Sequence, residues 1–275
     1  IPKVTKRTFP PPLDAFILDD IVSASECEAL IKCAEGAGYS FWNAAVSTAT
    51  FRNSDTVEIH SAAVADELWR RCALLVVPTV VIEQGHPLWE PGLEGTWKAC
   101  GVNDHLLFNK YEPGGHFSPH TDGASIVDMN RRSLYSMLVY LNRCPDGGGT
   151  ALFSPPEGTS MGKFVVDPAL GVYRWPEEWQ TGVAPVEPGT ALVFRQDTSH
   201  EGVPVGPGHL KIIIRTDVMY ERVPPVFIDD VGKQAYDLHR EAQSAEGEGD
   251  HMTAMRLYRH CRRLCPEYAD FVGMA

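Results

Sequence analysis

The middle of the sequence, from about residue 100 to residue 222, is a succession of short apolar runs separated by glycine, proline and asparagine. The runs cover residues 106–111, 117–121, 134–141, 150–153, 182–186, 191–195 and 211–220. Short β-type runs at this spacing, with turn residues between them, are typical of a β-sandwich or a β-barrel. The pattern therefore predicts that a mainly β core occupies the middle of the chain.

Helical patterns flank this core on both sides. Ser23, with Glu26 three positions later, forms a capping box that predicts the start of one helix, and a second helix is predicted over about residues 62–75. From about residue 230 the sequence turns helical again, in two segments that resemble a tetratricopeptide-type helix pair. We expect this pair to bury its apolar faces against the core, with docking of a protein partner as the alternative.

These patterns divide the 275 residues into three segments. Residues 1–104 are predicted to form an N-terminal arm with support helices, residues 105–225 the β core, and residues 226–275 a C-terminal helical hairpin. Within the core, residues 154–181 form a long insert with little alternation. Inserts of this length are typical of lids and binding loops.

Charge and cysteine content restrict the partners and the compartment. The chain has 24 lysines and arginines against 36 aspartates and glutamates, a formal net charge of −12, which disfavours a nucleic-acid partner because such binding requires a cationic surface. A run of about 18 apolar residues, enough to span a bilayer, is absent from the sequence, so no membrane association is predicted. The seven cysteines are an odd number without a CxxC pair, which favours a reducing, cytoplasmic environment.

One short motif has the pattern of a metal site, His120-Thr-Asp122 at the end of a predicted strand. Residues two apart in a strand project from the same face, so the imidazole and the carboxylate point to one spot. His200, between two later predicted strands, is the candidate third ligand. Two histidines and one carboxylate leave positions open on an octahedral metal, which suits non-haem Fe(II). Zinc hydrolysis with the same ligands stays open, although the sequence has no HExxH motif.

Five segments, in this order and spacing, resemble the Fe(II)/2-oxoglutarate dioxygenase superfamily and, within it, the prolyl 4-hydroxylase-like branch. They are YEPGGHFSPHTDG at 111–123, LVYLN at 138–142, GGGTALF at 147–153, HEGVP at 200–204 and KIIIR at 211–215. The resemblance implies a double-stranded β-helix, or jelly-roll, with N-terminal support helices. The tail after residue 225 lies outside the resemblance, so the predicted fold is mainly β with flanking α elements, and its C-terminal helix pair rests on the helical pattern alone. The resemblance also implies that His120, Asp122 and His200 hold the iron.

The same resemblance implies a basic residue, on the strand after the distal histidine, that pairs with the C5 carboxylate of 2-oxoglutarate. Lys211 begins that strand and is the favoured candidate. Arg215, whose planar fork suits a carboxylate, is the alternative. Tyr140 and Tyr111 match positions at which the family often places tyrosines that hydrogen-bond the co-substrate.

Three further residues are candidates for substrate binding. Arg52 lies in a segment that resembles the border of the active-site mouth in this branch, and its alternative role is a surface salt bridge. Arg131 lies just before the predicted strand that carries Tyr140. Trp175, on the long insert, is either part of a lid over the substrate or an anchor for its own loop.

The resemblance implies an enzyme that uses Fe(II), 2-oxoglutarate and O2 to oxidise an unactivated C–H bond, with release of succinate and CO2; ascorbate is an optional further cofactor. It favours hydroxylation of a peptidyl residue such as proline. The first alternative is the same chemistry on a free amino acid or small metabolite, including desaturation or cyclisation. A zinc-type hydrolase and an inactive jelly-roll that binds a partner are the others. Asp122 disfavours halogenation, because a halogenase needs that carboxylate missing so that chloride can bind.

Overall fold

The structure of the protein is a computed structural model that describes residues 3–42, 49–156, 164–167 and 171–274. Its strands are β1 (Thr5–Thr8), β2 (Ala15–Asp19), β3 (Ser40–Phe41), β4 (Arg52–Asn53), β5 (Asp55–His60), β6 (Thr79–Ile82), β7 (Gly95–Val102), β8 (His105–Tyr111), β9 (His116–His120), β10 (Ile126–Asp128), β11 (Arg131–Tyr140), β12 (Thr150–Phe153), β13 (Val165–Val166), β14 (Tyr173–Arg174), β15 (Gln180–Ala184), β16 (Ala191–Arg195), β17 (Ser199–Gly202) and β18 (Lys211–Arg222). Its α-helices are α1 (Ala24–Ala37), α2 (Ala62–Cys72), α3 (Asp230–Gly247), α4 (His251–Leu264) and α5 (Pro266–Phe271).

The chain divides into two compact units. The first consists of Ile1–Val76, Gly101–Ala124 and Ser133–Met219, and the second consists of Val77–Cys100, Ser125–Arg132 and Tyr220–Ala275. The three sequence segments proposed above stay a prediction about domain organisation.

Two antiparallel sheets form the first unit. One has the strand order β1-β2-β16-β11-β18-β8-β5-β3, and the other has the order β15-β12-β17-β9-β4. Strands that are distant in the sequence are neighbours in both sheets, which is the arrangement of a jelly-roll. The topology confirms the predicted mainly β fold with a jelly-roll core.

The hydrophobic core of the first unit lies between these two sheets. Tyr140 on β11 and Phe194 on β16 pack in one cluster with Leu152 on β12 and Ala184 on β15. Alternate residues of a strand point to the same side, so each sheet turns one apolar face towards the other. Close packing there fixes the positions of the side chains on β9 and β17, the strands that carry the predicted metal ligands.

The capping box predicted for α1 is present. The Ser23 hydroxyl accepts a hydrogen bond from the Glu26 backbone N–H at 3.3 Å, and the Glu26 carboxylate accepts one from the Ser23 backbone N–H at 2.8 Å. Arg71 on α2 donates to the same carboxylate at 2.6 Å, and this bond is the largest of the effects that lower the pKa of Glu26 to about 2. The two predicted N-terminal helices are therefore tied together by one shared carboxylate.

The helices of the second unit pack around a cluster of Ala235, Cys261, Cys265 and Tyr268. The two helical segments predicted in the tail are confirmed as α3 and α4, and α4 ends before Pro266. A third helix, α5, begins at that proline, because proline at the first helical position lacks only an N–H that would be unpaired anyway. Docking of a protein partner on these helices stays a prediction. Among the described residues, no helix is both long and apolar enough to span a bilayer.

Candidate metal centre

The three predicted ligands come together at one point of the first unit. His120 ends β9, Asp122 follows two residues later, and His200 lies on β17 directly opposite His120. One donor atom of each residue lies within 4.8 Å of the other two. The Asp122 carboxylate is 3.7 Å from His120 Nε2 and 3.8 Å from His200 Nε2. Both ring nitrogens and the carboxylate therefore face a common centre.

An irregularity in the ladder between β9 and β17 sets this meeting point. His200 pairs with His120 and Gly202 pairs with Phe117, so three residue steps on β9 match two on β17. Pro119 lies within this interval, and a proline, which cannot donate to a ladder, is tolerated where the pairing is interrupted. Such bulges are common beside active sites because they re-aim a side chain.

Hydrogen bonds orient both imidazoles. His120 Nδ1 donates to the Ser118 carbonyl at 2.8 Å, and His200 Nδ1 donates to the Thr198 carbonyl at 3.0 Å. A proton on Nδ1 leaves the lone pair of Nε2 free to bind a metal. The Ser136 hydroxyl donates to the Asp122 carboxylate at 2.6 Å and holds it in the same way.

Burial and neighbouring charges set the protonation of the centre. Burial, followed by the approach of His200, lowers the pKa of His120 to about 3 despite the opposing effect of Asp122. Burial by itself acts to raise the pKa of Asp122, but the two histidines and Arg215 outweigh it and bring this pKa below its ordinary value. At neutral pH His120 is therefore a neutral imidazole and Asp122 a carboxylate, the forms that bind metals.

Lys211 is a buried cation for which the described residues offer no anionic partner. The residue begins β18, where it pairs with Tyr111 of β8, and it is only 2% exposed. Nζ lies 5.1 Å from the ring centroid of Tyr111 and 5.9 Å from that of Tyr140. No carboxylate of the described residues lies within ion-pair distance of Nζ. Burial is the main cause that lowers the pKa of Lys211 to about 8, so an anion at this point would stabilise its charge.

The two predicted tyrosines border Lys211. Tyr140 and Tyr111 are both buried, and burial raises the pKa of each hydroxyl. The Tyr140 hydroxyl donates to Thr150 Oγ1 at 2.8 Å. Both hydroxyls therefore stay protonated near neutral pH. The one Tyr140 proton is donated to Thr150, so Tyr111 is the tyrosine that can donate a hydrogen bond beside the lysine.

Arg215, the alternative anchor, already has anionic partners. Its Nη2 lies 3.2 Å from Asp217 Oδ1 and donates to the Gly123 carbonyl at 3.1 Å. Its Nε lies 3.9 Å from the Asp122 carboxylate. The guanidinium charge is thus compensated within the protein, whereas no carboxylate in the described part of the chain compensates the charge of Lys211.

Arg52 is buried beside the centre, and the surface salt bridge considered as its alternative role is wrong. The residue is 5% exposed, its Nε donates to Ser54 Oγ at 2.9 Å and its Nη2 donates to Asn109 Oδ1. The guanidinium carbon lies 4.4 Å from the ring centroid of Trp42 and 4.6 Å from that of Phe117. Pairing of β4 with β9 places Arg52 opposite Phe117, which explains its burial.

The other two substrate candidates have different surroundings. Arg131 belongs to the second unit, where it lies beside Cys100 and acts to lower the thiol pKa that burial raises. Trp175 is buried, and its Nε1 donates to Ser199 Oγ at 2.8 Å, which supports the loop-anchor alternative. Residues 157–163 and 168–170 of the predicted lid lie outside the described residues. A substrate role for Arg131 or Trp175 stays a prediction.

Several neighbours of the centre were not predicted. Ser136, Asn109 and Thr150 are polar side chains inside otherwise apolar strands, and that contrast is the signal in the sequence that could have identified them. Glu58, His60 and His105 form a second group of metal-type donors, exposed on β5 and β8. Glu58 and His60 are two residues apart on β5, and strand register adds His105, which lies opposite His60.

The segment that contains His120, Asp122 and His200 matches a known protein family. Residues 106–216 match the family model described as the 2OG-Fe(II) oxygenase superfamily. No curated protein matches the sequence.

Several solved structures match this chain at low sequence identity. The viral collagen prolyl hydroxylase from Paramecium bursaria Chlorella virus-1 is 18% identical, with 75% of this chain and 96% of that chain covered and a TM-score of 0.43. A prolyl-4-hydroxylase from Pseudomonas putida is also 18% identical, with 77% of this chain and 94% of that chain covered and a TM-score of 0.45. The non-haem α-ketoglutarate-dependent epimerase SnoN from nogalamycin biosynthesis is 14% identical, with 79% of this chain and 85% of that chain covered and a TM-score of 0.46.

The hydroxyl of Ser136 is expected to contribute to metal affinity. Replacing it (Ser136→Ala) removes the donor that orients the Asp122 carboxylate, and loss of such a partner weakens metal binding by about 10- to 100-fold. Anaerobic calorimetric titration with Fe(II) measures the change. Ser133→Ala is the matched control, because Ser133 is buried on the same strand but bonds to Gln196. Equal losses in both variants would contradict the assignment.

Proposed function

Residues 106–216 of this chain belong to the 2OG-Fe(II) oxygenase superfamily, and we propose that the protein hydroxylates an unactivated C–H bond of its substrate. The enzyme is a 2-oxoglutarate-dependent non-haem iron oxygenase, with Fe(II), 2-oxoglutarate and O2 as its cofactors. The observation that carries the proposal is the convergence of two histidines and one carboxylate in the unit that also buries Lys211, for which the described residues offer no ion-pair partner.

The donor set fits Fe(II). His120, Asp122 and His200 supply two nitrogens and one oxygen from one side, and this facial arrangement leaves open positions for a chelating co-substrate and O2. Hydrogen bonds to Ser118, Thr198 and Ser136 fix the three donors before any metal binds. When bound, the iron would supply the activation of O2 that protein side chains cannot provide.

Lys211 fits the distal carboxylate of 2-oxoglutarate. Its ammonium group lies in a buried site with no anion of its own, between two tyrosine rings. A bound carboxylate would offset the cost of burying that charge, and Tyr111 can donate a hydrogen bond to it. Tyr140 would have to exchange its hydrogen bond to Thr150 in order to donate to the same carboxylate. Arg215, paired with Asp217, would instead hold the Asp122 side of the centre in position.

We favour a peptidyl substrate such as a prolyl residue. Phe117 stacks on the imidazole of His120, with ring centroids 3.6 Å apart. Phe51 and Trp42 lie next to it, with centroids 5.5 Å and 6.3 Å from that of Phe117. An apolar ring gains contact area on such aromatic faces, and this cluster borders a metal ligand.

A free amino acid or other carboxylate-bearing metabolite is the second candidate, and Arg52 favours it. The guanidinium is buried in the same aromatic cluster, with neutral hydrogen-bond partners at Ser54 and Asn109. Its pKa is lowered chiefly by burial, so a substrate carboxylate nearby would stabilise its charge.

Affinity for 2-oxoglutarate is expected to fall as the pH rises above about 8. Burial lowers the pKa of Lys211 to about 8 in the free protein, and the dicarboxylate binds the protonated amine. Above this pKa most of the protein has a neutral Lys211, which must take up a proton before the dicarboxylate can bind. The dissociation constant is therefore constant below about pH 8 and rises by up to about tenfold per pH unit above about pH 8. Anaerobic titrations of the Mn(II)-loaded protein with 2-oxoglutarate between about pH 6.5 and 9.5 test this.

Lys211→Arg is the control for this pH dependence. Arginine stays protonated over the whole range, so whatever affinity the variant retains is expected not to change with pH. A flat profile in the unaltered protein would contradict the role of Lys211, and an unchanged slope in the variant would assign the titration to another group.

Incubation with Fe(II), 2-oxoglutarate and O2 is expected to give succinate and an oxidised product, which a mass-spectrometric screen of peptides and metabolites identifies. A mass gain of about 16 Da corresponds to hydroxylation and a loss of about 2 Da to desaturation or cyclisation. Turnover without O2 and succinate would instead support the hydrolase alternative.

For a carboxylate-bearing metabolite, Arg52→Met is expected to raise KM by about 10- to 100-fold, while the KM for a neutral peptide is affected much less.

A further inference from the structure

The second unit contains a cavity of about 310 Å3 that is independent of the metal centre. Three arginines line it: Arg132 at the start of β11, Arg222 at the end of β18 and Arg240 on α3. Aromatic walls come from Trp97, Tyr236 and Tyr268. A cavity of this volume suits a metabolite-sized ligand.

Arg222 is a buried guanidinium to which no described residue supplies a counter-ion. The residue is 4% exposed, and its Nη1 and Nη2 donate to the carbonyls of Glu94 and Gly92. Its Nε has no hydrogen-bond partner, and no carboxylate of the described residues lies within ion-pair distance. Burial, and next the neighbouring Arg132, lower its pKa to about 10. An unpaired buried charge is costly, so an anion in this cavity would stabilise the unit.

Arg132 adds a second positive charge that is only partly compensated. Its Nη1 pairs with Glu90 at 2.8 Å, but that carboxylate is 57% exposed, and Arg132 Nε is buried without a partner. Asp128 also lines the cavity, and its carboxylate accepts a hydrogen bond from the Asn130 backbone at 2.7 Å. Three guanidiniums thus face two carboxylates, and the balance around the cavity is positive.

The remaining polar groups do not reverse this balance. Burial lowers the pKa of His239, whose Nδ1 lies 2.8 Å from the Tyr268 hydroxyl, so this imidazole is neutral. Gln243 accepts a hydrogen bond from Arg240 at 2.9 Å on the exposed side of α3. Apart from Glu90 and Asp128, the lining therefore carries no negative charge among the described residues.

We propose that this cavity binds a small oxyanion, a carboxylate or a phosphate of metabolite size. Planar guanidinium groups recognise both through paired N–H donors, and the aromatic walls accommodate an organic body. The proposal does not depend on the function proposed for the metal centre. The alternative is a purely structural role, in which Arg222 holds the loop through the carbonyls of Gly92 and Glu94 and the cavity binds no ligand. In that case, changing the charge of Arg132 or of the α3 residues at the rim would have no effect on anion binding.

Calorimetric titration of the full chain with inorganic phosphate and, separately, with citrate tests the proposal. Binding of phosphate identifies a phosphate ligand and binding of citrate a carboxylate ligand; binding of neither at millimolar concentration overturns the proposal. Because Lys211 is another buried cation, the titration is repeated on Lys211→Met. An undiminished signal there supports the proposal, and its loss would move the binding to the metal centre.

Two variants locate the ligand. Gln243→Glu adds a negative charge at the rim and is expected to weaken binding about fivefold, whereas Gln234→Glu, exposed on the same helix but outside the cavity, leaves it unchanged. Arg132→Gln, checked for folding by its thermal midpoint, is expected to weaken binding about tenfold. Equal affinity of Gln243→Glu and Gln234→Glu would overturn the proposal even if Arg132→Gln fails to fold.

Discussion

The pairing of β9 with β17 is the interaction on which the metal centre depends. It places His200 directly opposite His120, and the interruption at Pro119 decides which side chains of β9 face the centre. Side chains alternate between the faces of a strand, so a slip of one residue would send one imidazole to the wrong side. The cluster of Tyr140, Leu152 and Phe194 between the two sheets resists such a slip.

Buried charge is the second constraint, and it links stability to ligands. Lys211 and Asp122 are charged groups inside the first unit, and Arg222 is one inside the second. Asp122 has Ser136, Arg215 and two histidines around it, whereas Lys211 and Arg222 have no carboxylate partner among the described residues. A metal bound at Asp122, or an anion bound at Lys211 or Arg222, would therefore stabilise the folded protein as well as serve its chemistry.

The sequence was sufficient for what depends on local pattern. Strand β9 was predicted one residue late, β18 was predicted almost in full, and the N-terminal cap of α1 follows from Ser23 and Glu26. These features are set by periodicity and by hydrogen bonds between near neighbours, which a single sequence records.

What the sequence could not supply depends on contacts between distant strands. The burial of Arg52 follows from its position opposite Phe117, 65 residues away, and a surface role was therefore a reasonable but wrong alternative. The same limit applies to Ser136, whose partner Asp122 is set by the fold, and to the donor group of Glu58, His60 and His105. Long-range register leaves no motif in a single sequence, whereas a polar residue in an apolar strand does leave a trace.

The central claim is that one site holds Fe(II) and 2-oxoglutarate together, with Lys211 as the anchor for the co-substrate. Anaerobic addition of Fe(II) and then 2-oxoglutarate, followed by visible absorption, measures this directly, because chelation by the co-substrate gives a weak metal-to-ligand charge-transfer band. The account predicts the band in the unaltered protein and in Arg215→Met, its loss in Asp122→Ala, and saturation only at much higher 2-oxoglutarate concentration in Lys211→Met. Absence of the band in the unaltered protein, or equal saturation in Lys211→Met, would contradict it.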